Sequence, residues 1–163
     1  MEKNIDWLFE KFIAHKGFWG DNIPENSLGA FEKAIENHYS IEMDVRLLAD
    51  GELAVLHDKE LSRMTGQDGY LSKLNREDLP NYKLNGTEYS IPTLDEALSF
   101  IGGKVPVILD LKTEATNVGA FESKVADAIR NYSGDVAVMS FNPLALEWFS
   151  KNAPNIPRGL LST

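Results

Sequence analysis

Four apolar runs of this chain each deliver titratable side chains at or near their ends. His15 closes Phe-Ile-Ala-His, Glu42 and Asp44 interrupt Ile-Glu-Met-Asp-Val, His57 closes Val-Leu-His, and Asp110 sits in Val-Ile-Leu-Asp-Leu. His15 and His57 are two of only 3 histidines, and an imidazole titrates near neutrality, so such a pair can donate one proton and accept another at working pH. Glu42 and Asp44 lie two residues apart and project to one side of an extended strand. Asp110 is flanked by Val107, Ile108, Leu109 and Leu111, where an unpaired carboxylate would be costly to bury. Three carboxylates brought together repel one another unless a cation sits between them, and hard oxygen donors suit Mg²⁺ or Ca²⁺ rather than zinc. Lys16 follows His15, and Lys112 lies two residues past Asp110 on the same face. Beside a divalent ion, two ammonium groups suit a phosphate, whose developing charge must be stabilised during displacement.

Bringing these groups together requires strands that end at one place. Runs of strand length at 12–15, 40–48, 53–57, 106–111, 136–140 and 158–161 alternate with segments of helical period, as expected for βα units around a mainly parallel sheet. Leu28, Phe31, Ala34 and Ile35 form one helical stripe, and Val118, Phe121, Val125, Ala128 and Ile129 another. Thr93 with Glu96 is a capping box that opens a helix over 94–101, closed by Gly102-Gly103, and Asn142 caps a helix with Pro143 in its first position. His38, at the end of the helix over 27–37, complements the helix dipole rather than belonging to the site. Asp50-Gly51 predicts a tight hairpin between the second and third strands, and a two-residue loop there would set Asp44 directly opposite His57. The segment 61–90 is the least regular and reads as a loop region, while Trp7 and Phe9 read as packing residues that close one end of the domain.

Composition narrows the partners. With 16 Lys plus Arg against 25 Asp plus Glu, the net charge of −9 disfavours nucleic acid and anionic membranes. The absence of cysteine removes disulfides, thiolate metal sites and a Cys nucleophile. The N-terminal residues mix charges among apolar side chains, so neither a signal peptide nor a membrane span is read, and a cytoplasmic location is the expectation. The 163 residues fit one domain, 1–163.

Taken in order, His15-Lys16-Gly17, Pro24-Glu25-Asn26, Glu42-Met43-Asp44-Val45, Asp50-Gly51, His57-Asp58, residues 61–65, Pro92-Thr93-Leu94, Asp110-Leu111-Lys112 and Ser140-Phe141 resemble the glycerophosphodiester phosphodiesterase family, from about residue 11 onward. The resemblance implies a TIM-type α/β barrel of the PLC-like phosphodiesterase kind that uses one divalent cation, Mg²⁺ or Ca²⁺, to hydrolyse small glycerophosphodiesters to glycerol 3-phosphate and an alcohol. It implies an acid/base role for His15 and His57, metal ligation by Glu42, Asp44 and Asp110, and a phosphate-side role for Lys112. Members usually carry Arg where Lys16 stands and Glu where Asp110 stands. A barrel of eight βα units usually needs roughly 200 residues or more, so the expectation is a barrel lacking its last two strands, either part of a longer protein or completed by a homodimer through open sheet edges. The competing expectations are a lyase-like phospholipase of the same fold and a non-catalytic phosphate-binding module.

Overall fold

The computed structural model describes residues 4–162. Its centre is a sheet whose main path runs β1 (Ile13–His15), β2 (Ser40–Leu47), β4 (Val107–Leu111), β5 (Val136–Ser140) and β6 (Arg158–Leu160), every neighbouring pair parallel. The helices α2 (Leu28–Glu36), α4 (Leu94–Ile101), α5 (Ala120–Arg130) and α6 (Pro143–Asn152) lie between strands in the sequence. They cover one face of the sheet, giving the wall of a half-barrel.

Period-two alternation sorts each strand between two environments. Ile41, Met43 and Val45 of β2, Val107, Leu109 and Leu111 of β4, and Val136 and Val138 of β5 join Phe31, Ala97, Val125 and Phe149 in the principal core. Each large side chain buried there contributes roughly 1.5–3 kcal/mol. The residues between them, Glu42, Asp44, Ile108, Asp110, Ala137 and Met139, face the inner side. At the lower end of that side, Trp7 of α1 (Trp7–Glu10) packs on Ile108 and Ala137. Trp7 thus closes one end of the sheet as expected, whereas Phe9 does not: it is 82% exposed, because a four-residue helix can present only one of the two to the sheet.

Local sequence accounts for the helix ends. Ser27 Oγ accepts the N–H of Ala30 at 3.1 Å, Thr93 and Glu96 complete their capping box, and Asn142 Oδ1 receives the N–H of Leu144. Gly17 is required where β1 turns toward α2. Its φ is +80°, and a Cβ there would stand 2.7 Å from the Ala30 Cβ.

Three expectations need correction. β3 (Leu53–Val55) runs antiparallel to β2 and lies off the main path, beside the end of β2 that extends beyond β1. Among the described residues five strands therefore build the barrel wall, and an eight-stranded barrel would need three more rather than two. The hairpin register pairs Val45 with Val55 and Leu47 with Leu53, and Leu48 and Glu52 close a three-residue turn. Asp44 consequently aligns with Leu56, whose N–H it receives, rather than with His57; a slip of one residue is enough to change the partner. The segment 61–90 is also not a loose loop. It holds α3 (Ser62–Thr65) and the 3₁₀ turns Leu71–Lys73, Arg76–Asn81 and Leu84–Gly86. Leu61, Met64, Leu71, Leu79 and Leu84 bury themselves there in a second core with Leu56 and Ile91. Turns this short show no sustained period in the sequence, so the pattern reads as irregular.

Candidate active site

The inner face collects its charges at the C-terminal ends of the parallel strands, where barrel enzymes carry their sites. Parallel register does the placing: His15 lies beside Glu42 across the β1–β2 pair, and Asp44 lies beside Asp110 across the β2–β4 pair. Glu42 stands one pleat below Asp44 on the same strand, so three carboxylates from two strands converge without a loop to carry them. One oxygen from each of Glu42, Asp44 and Asp110 lies within 4.8 Å of the others, and all three residues are buried.

Like charges so placed are costly unless something offsets them. Burial, followed by the charge of Asp44, pushes the Glu42 carboxyl up to about 7, against the Lys16 N–H that bonds its Oε2 at 2.9 Å. Burial also raises Asp110, with the Lys112 ammonium opposing. That ammonium is 2.7 Å from Asp110 Oδ2 and 3.3 Å from Asp44 Oδ1. Burial works against its charge, but the two carboxylates outweigh burial and raise its pKa. One cation does not satisfy the cluster, since Glu42 Oε1 and Asp110 Oδ1 are buried without a hydrogen-bond partner and Asp44 Oδ1 has only the Lys112 ammonium near it. Hard carboxylate oxygens gathered this closely fit a divalent metal ion.

His15 reaches this shelf: its side chain is 71% exposed, with Nε2 at 3.8 Å from Glu42 Oε2. His57 follows β3, with Nδ1 at 2.7 Å from Asp58 Oδ1. Lys16 takes a different direction from Lys112. Its backbone is left-handed at φ 61°, its N–H goes to Glu42, and its ammonium lies 3.5 Å from Glu25 Oε1 in a largely buried position.

Several supporting residues escaped the sequence reading. Asn26, fully buried at φ 55°, donates from Nδ2 to Asp44 Oδ2 at 2.8 Å and receives the Asp44 N–H at 3.3 Å. Pro-Glu-Asn ahead of a Ser cap reads as a turn, and only the fold shows that the turn grips a carboxylate 18 positions away. Arg46 donates from Nε to the His57 carbonyl at 2.8 Å, tying β2 to the end of β3. The alternation of β2 could have flagged Arg46, since it shares the parity of Glu42 and Asp44.

Comparison with known proteins agrees with this geometry. A model of the Glycerophosphoryl diester phosphodiesterase family matches residues 15–163. A glycerophosphodiester phosphodiesterase of Caldanaerobacter subterraneus subsp. tengcongensis is 33% identical over 159 residues, covering 91% of this chain and 65% of the relative. One from Bacillus altitudinis is also 33% identical, over 93% of this chain and 66% of the relative. Among solved structures, an Oleispira antarctica phosphodiesterase in complex with the product sn-glycerol-3-phosphate superposes with a TM-score of 0.80 at 28% identity, covering 92% of this chain and 65% of that one. The chain thus spans about two thirds of the length of the curated relatives that it matches.

Proposed function

This chain belongs to the glycerophosphodiester phosphodiesterase family, and from that premise we propose that it carries the catalytic shelf of an enzyme that hydrolyses small glycerophosphodiesters to glycerol 3-phosphate and an alcohol, dependent on one Mg²⁺ or Ca²⁺ ion. The observation that carries this reading is the in-register pairing of His15 with Glu42 and of Asp44 with Asp110, which leaves Glu42 Oε1 and Asp110 Oδ1 buried without partners, and Asp44 Oδ1 with only the Lys112 ammonium, beside the His15 imidazole. The product named for the Oleispira antarctica neighbour supports the substrate class.

In this reading Glu42, Asp44 and Asp110 hold the ion, whose charge, when bound, opposes that of the non-bridging phosphate oxygens. Asn26 and the Lys16 N–H hold Asp44 and Glu42 in the direction that this requires. Of the two rings, one removes the proton of the attacking hydroxyl or water, and the other protonates the departing alcohol. Lys112, next to Asp110, adds a positive charge on the phosphate side. Lys16, paired with Glu25, takes this role when its ammonium leaves that partner.

The same proposal keeps 1–163 as one domain, places it in the cytoplasm and lets two copies pair through the end strands β1 and β6, each of which has one strand neighbour along the main path. Among the described residues no helix is long and apolar enough to cross a membrane. The test is release of glycerol 3-phosphate from glycerophosphocholine with added Mg²⁺ or Ca²⁺. Turnover should vanish after exhaustive chelation, and full activity without a cation would end the metal assignment.

A further inference from the structure

A chain of side chains outside the carboxylate cluster runs from the loop after β1 to the loop after β3. The Arg63 guanidinium forks onto Glu25, Nη2 to Oε1 at 2.6 Å and Nη1 to Oε2 at 3.3 Å. It also engages both oxygens of Asp58, Nε to Oδ2 at 2.5 Å and Nη2 to Oδ1 at 3.1 Å. Asp58 Oδ1 in turn meets His57 Nδ1 at 2.7 Å. Glu25 anchors this arrangement from a buried position. It is 7% exposed, and its neighbour Asn26 is locked onto Asp44.

The contact fixes a proton. The Arg63 guanidinium bonded to Asp58 holds that carboxyl down at about 2, so near neutrality it is an anion that can only accept hydrogen bonds. The short contact to His57 Nδ1 therefore requires a proton on Nδ1, whichever charge the ring carries, and a neutral ring keeps its lone pair on Nε2. We propose that Asp58, clamped to Glu25 through Arg63, is a positioning residue that keeps the proton of neutral His57 on Nδ1, leaving Nε2 as the atom that exchanges a proton with substrate. The catalytic half of this inference rests on the acid/base reading of His57.

The test uses the whole chain, ¹⁵N-labelled, with the tautomer of His57 read from long-range ¹H–¹⁵N spectra of its ring above neutrality. The native protein should show the Nδ1–H form. Asp58→Ala should move the ring to the Nε2–H form while kcat falls roughly 10- to 100-fold, as for other partners that orient a ring, and KM stays nearly constant. Arg63→Lys keeps the charge but loses the fork, and should give a mixture of the two forms. Should Asp58→Ala fail to fold, Asp58→Asn leaves a carbonyl acceptor in place and should give a partial shift. Nε2–H in the native protein, or unchanged Nδ1–H in Asp58→Ala, overturns the proposal. A tautomer switch with unchanged turnover supports the positioning role and instead counts against His57 as acid or base.

Discussion

Glu42 contributes a pH dependence of its own to the stability of the metal-free protein. Its carboxyl titrates at about 7 in the fold against an ordinary 4.5, so between these values the unfolded chain has released a proton that the folded chain retains. The contribution of Glu42 to stability therefore falls as pH rises through that window, by roughly 3 kcal/mol. Denaturant midpoints at about pH 5 and pH 8 check this, and Glu42→Gln should flatten the difference; equal slopes in both proteins would refute it. The same substitution, or Asp44→Ala, should remove the melting-temperature rise given by added Mg²⁺ or Ca²⁺, because a ligand bound only by the native state stabilises by mass action. For the rings, His15→Ala and His57→Ala should each lower kcat by roughly 10²-fold or more. The double variant should lose less than the product of the two, as expected of groups that act as a unit. Near-normal turnover by His57→Ala on a substrate with a poor leaving group would remove it from the acid/base pair.

At the scale of elements, the site depends on how the β1–α2 turn closes. Gly17 lets the chain pass against Ala30 and leaves the adjacent Lys16 N–H aimed at Glu42. Gly17→Ala must either move α2 or strain a backbone at φ +80°, and should destabilise the protein by roughly 1–3 kcal/mol or more. Metal affinity should drop with it, because the turn also carries Asn26. Asn26→Ala takes a buried donor from Asp44 and is expected to cost about 1–3 kcal/mol. Thermal melts with and without the cation separate the two effects. If Asn26→Ala lost stability but kept the full metal-dependent shift, Asn26 would be a turn residue and nothing more.

At the scale of the whole molecule, the half-barrel leaves its inner side open. Below the carboxylates, a groove of about 920 Å³ is lined by Ile5, Leu8, Ile108, Ala137 and Met139, among others. Phe12 is 78% exposed just before the end strand β1, and every residue of the other end strand, β6, is exposed. End strands with free backbone groups beside apolar surface promote pairing with another chain. Sedimentation of the 163-residue chain should show association that rises with concentration, and Leu160→Lys should weaken it. A strictly monomeric, fully active protein with a single cooperative unfolding transition would refute the pairing of copies.

The sequence alone determined which strands carry the acidic side chains of the inner face. Apolar alternation in Ile41, Met43 and Val45 forces Glu42 and Asp44 to the opposite face whatever the rest of the chain does, and Asp110 follows from the same parity in β4. Caps at Ser27, Thr93 and Asn142 are equally local, since each depends on residues two or three positions away. Only the tertiary structure decided which side chains meet. The hairpin turn had one residue more than its Asp-Gly pair predicts, which moved His57 out of line with Asp44. The links from Asn26 to Asp44 and from Arg63 to Glu25 span 18 and 38 positions. Hydrogen bonds over such separations arise from the packing of whole elements and leave no periodic trace in the chain. The same packing turned the irregular stretch 61–90 into a second core and put Arg63 where it can hold Asp58.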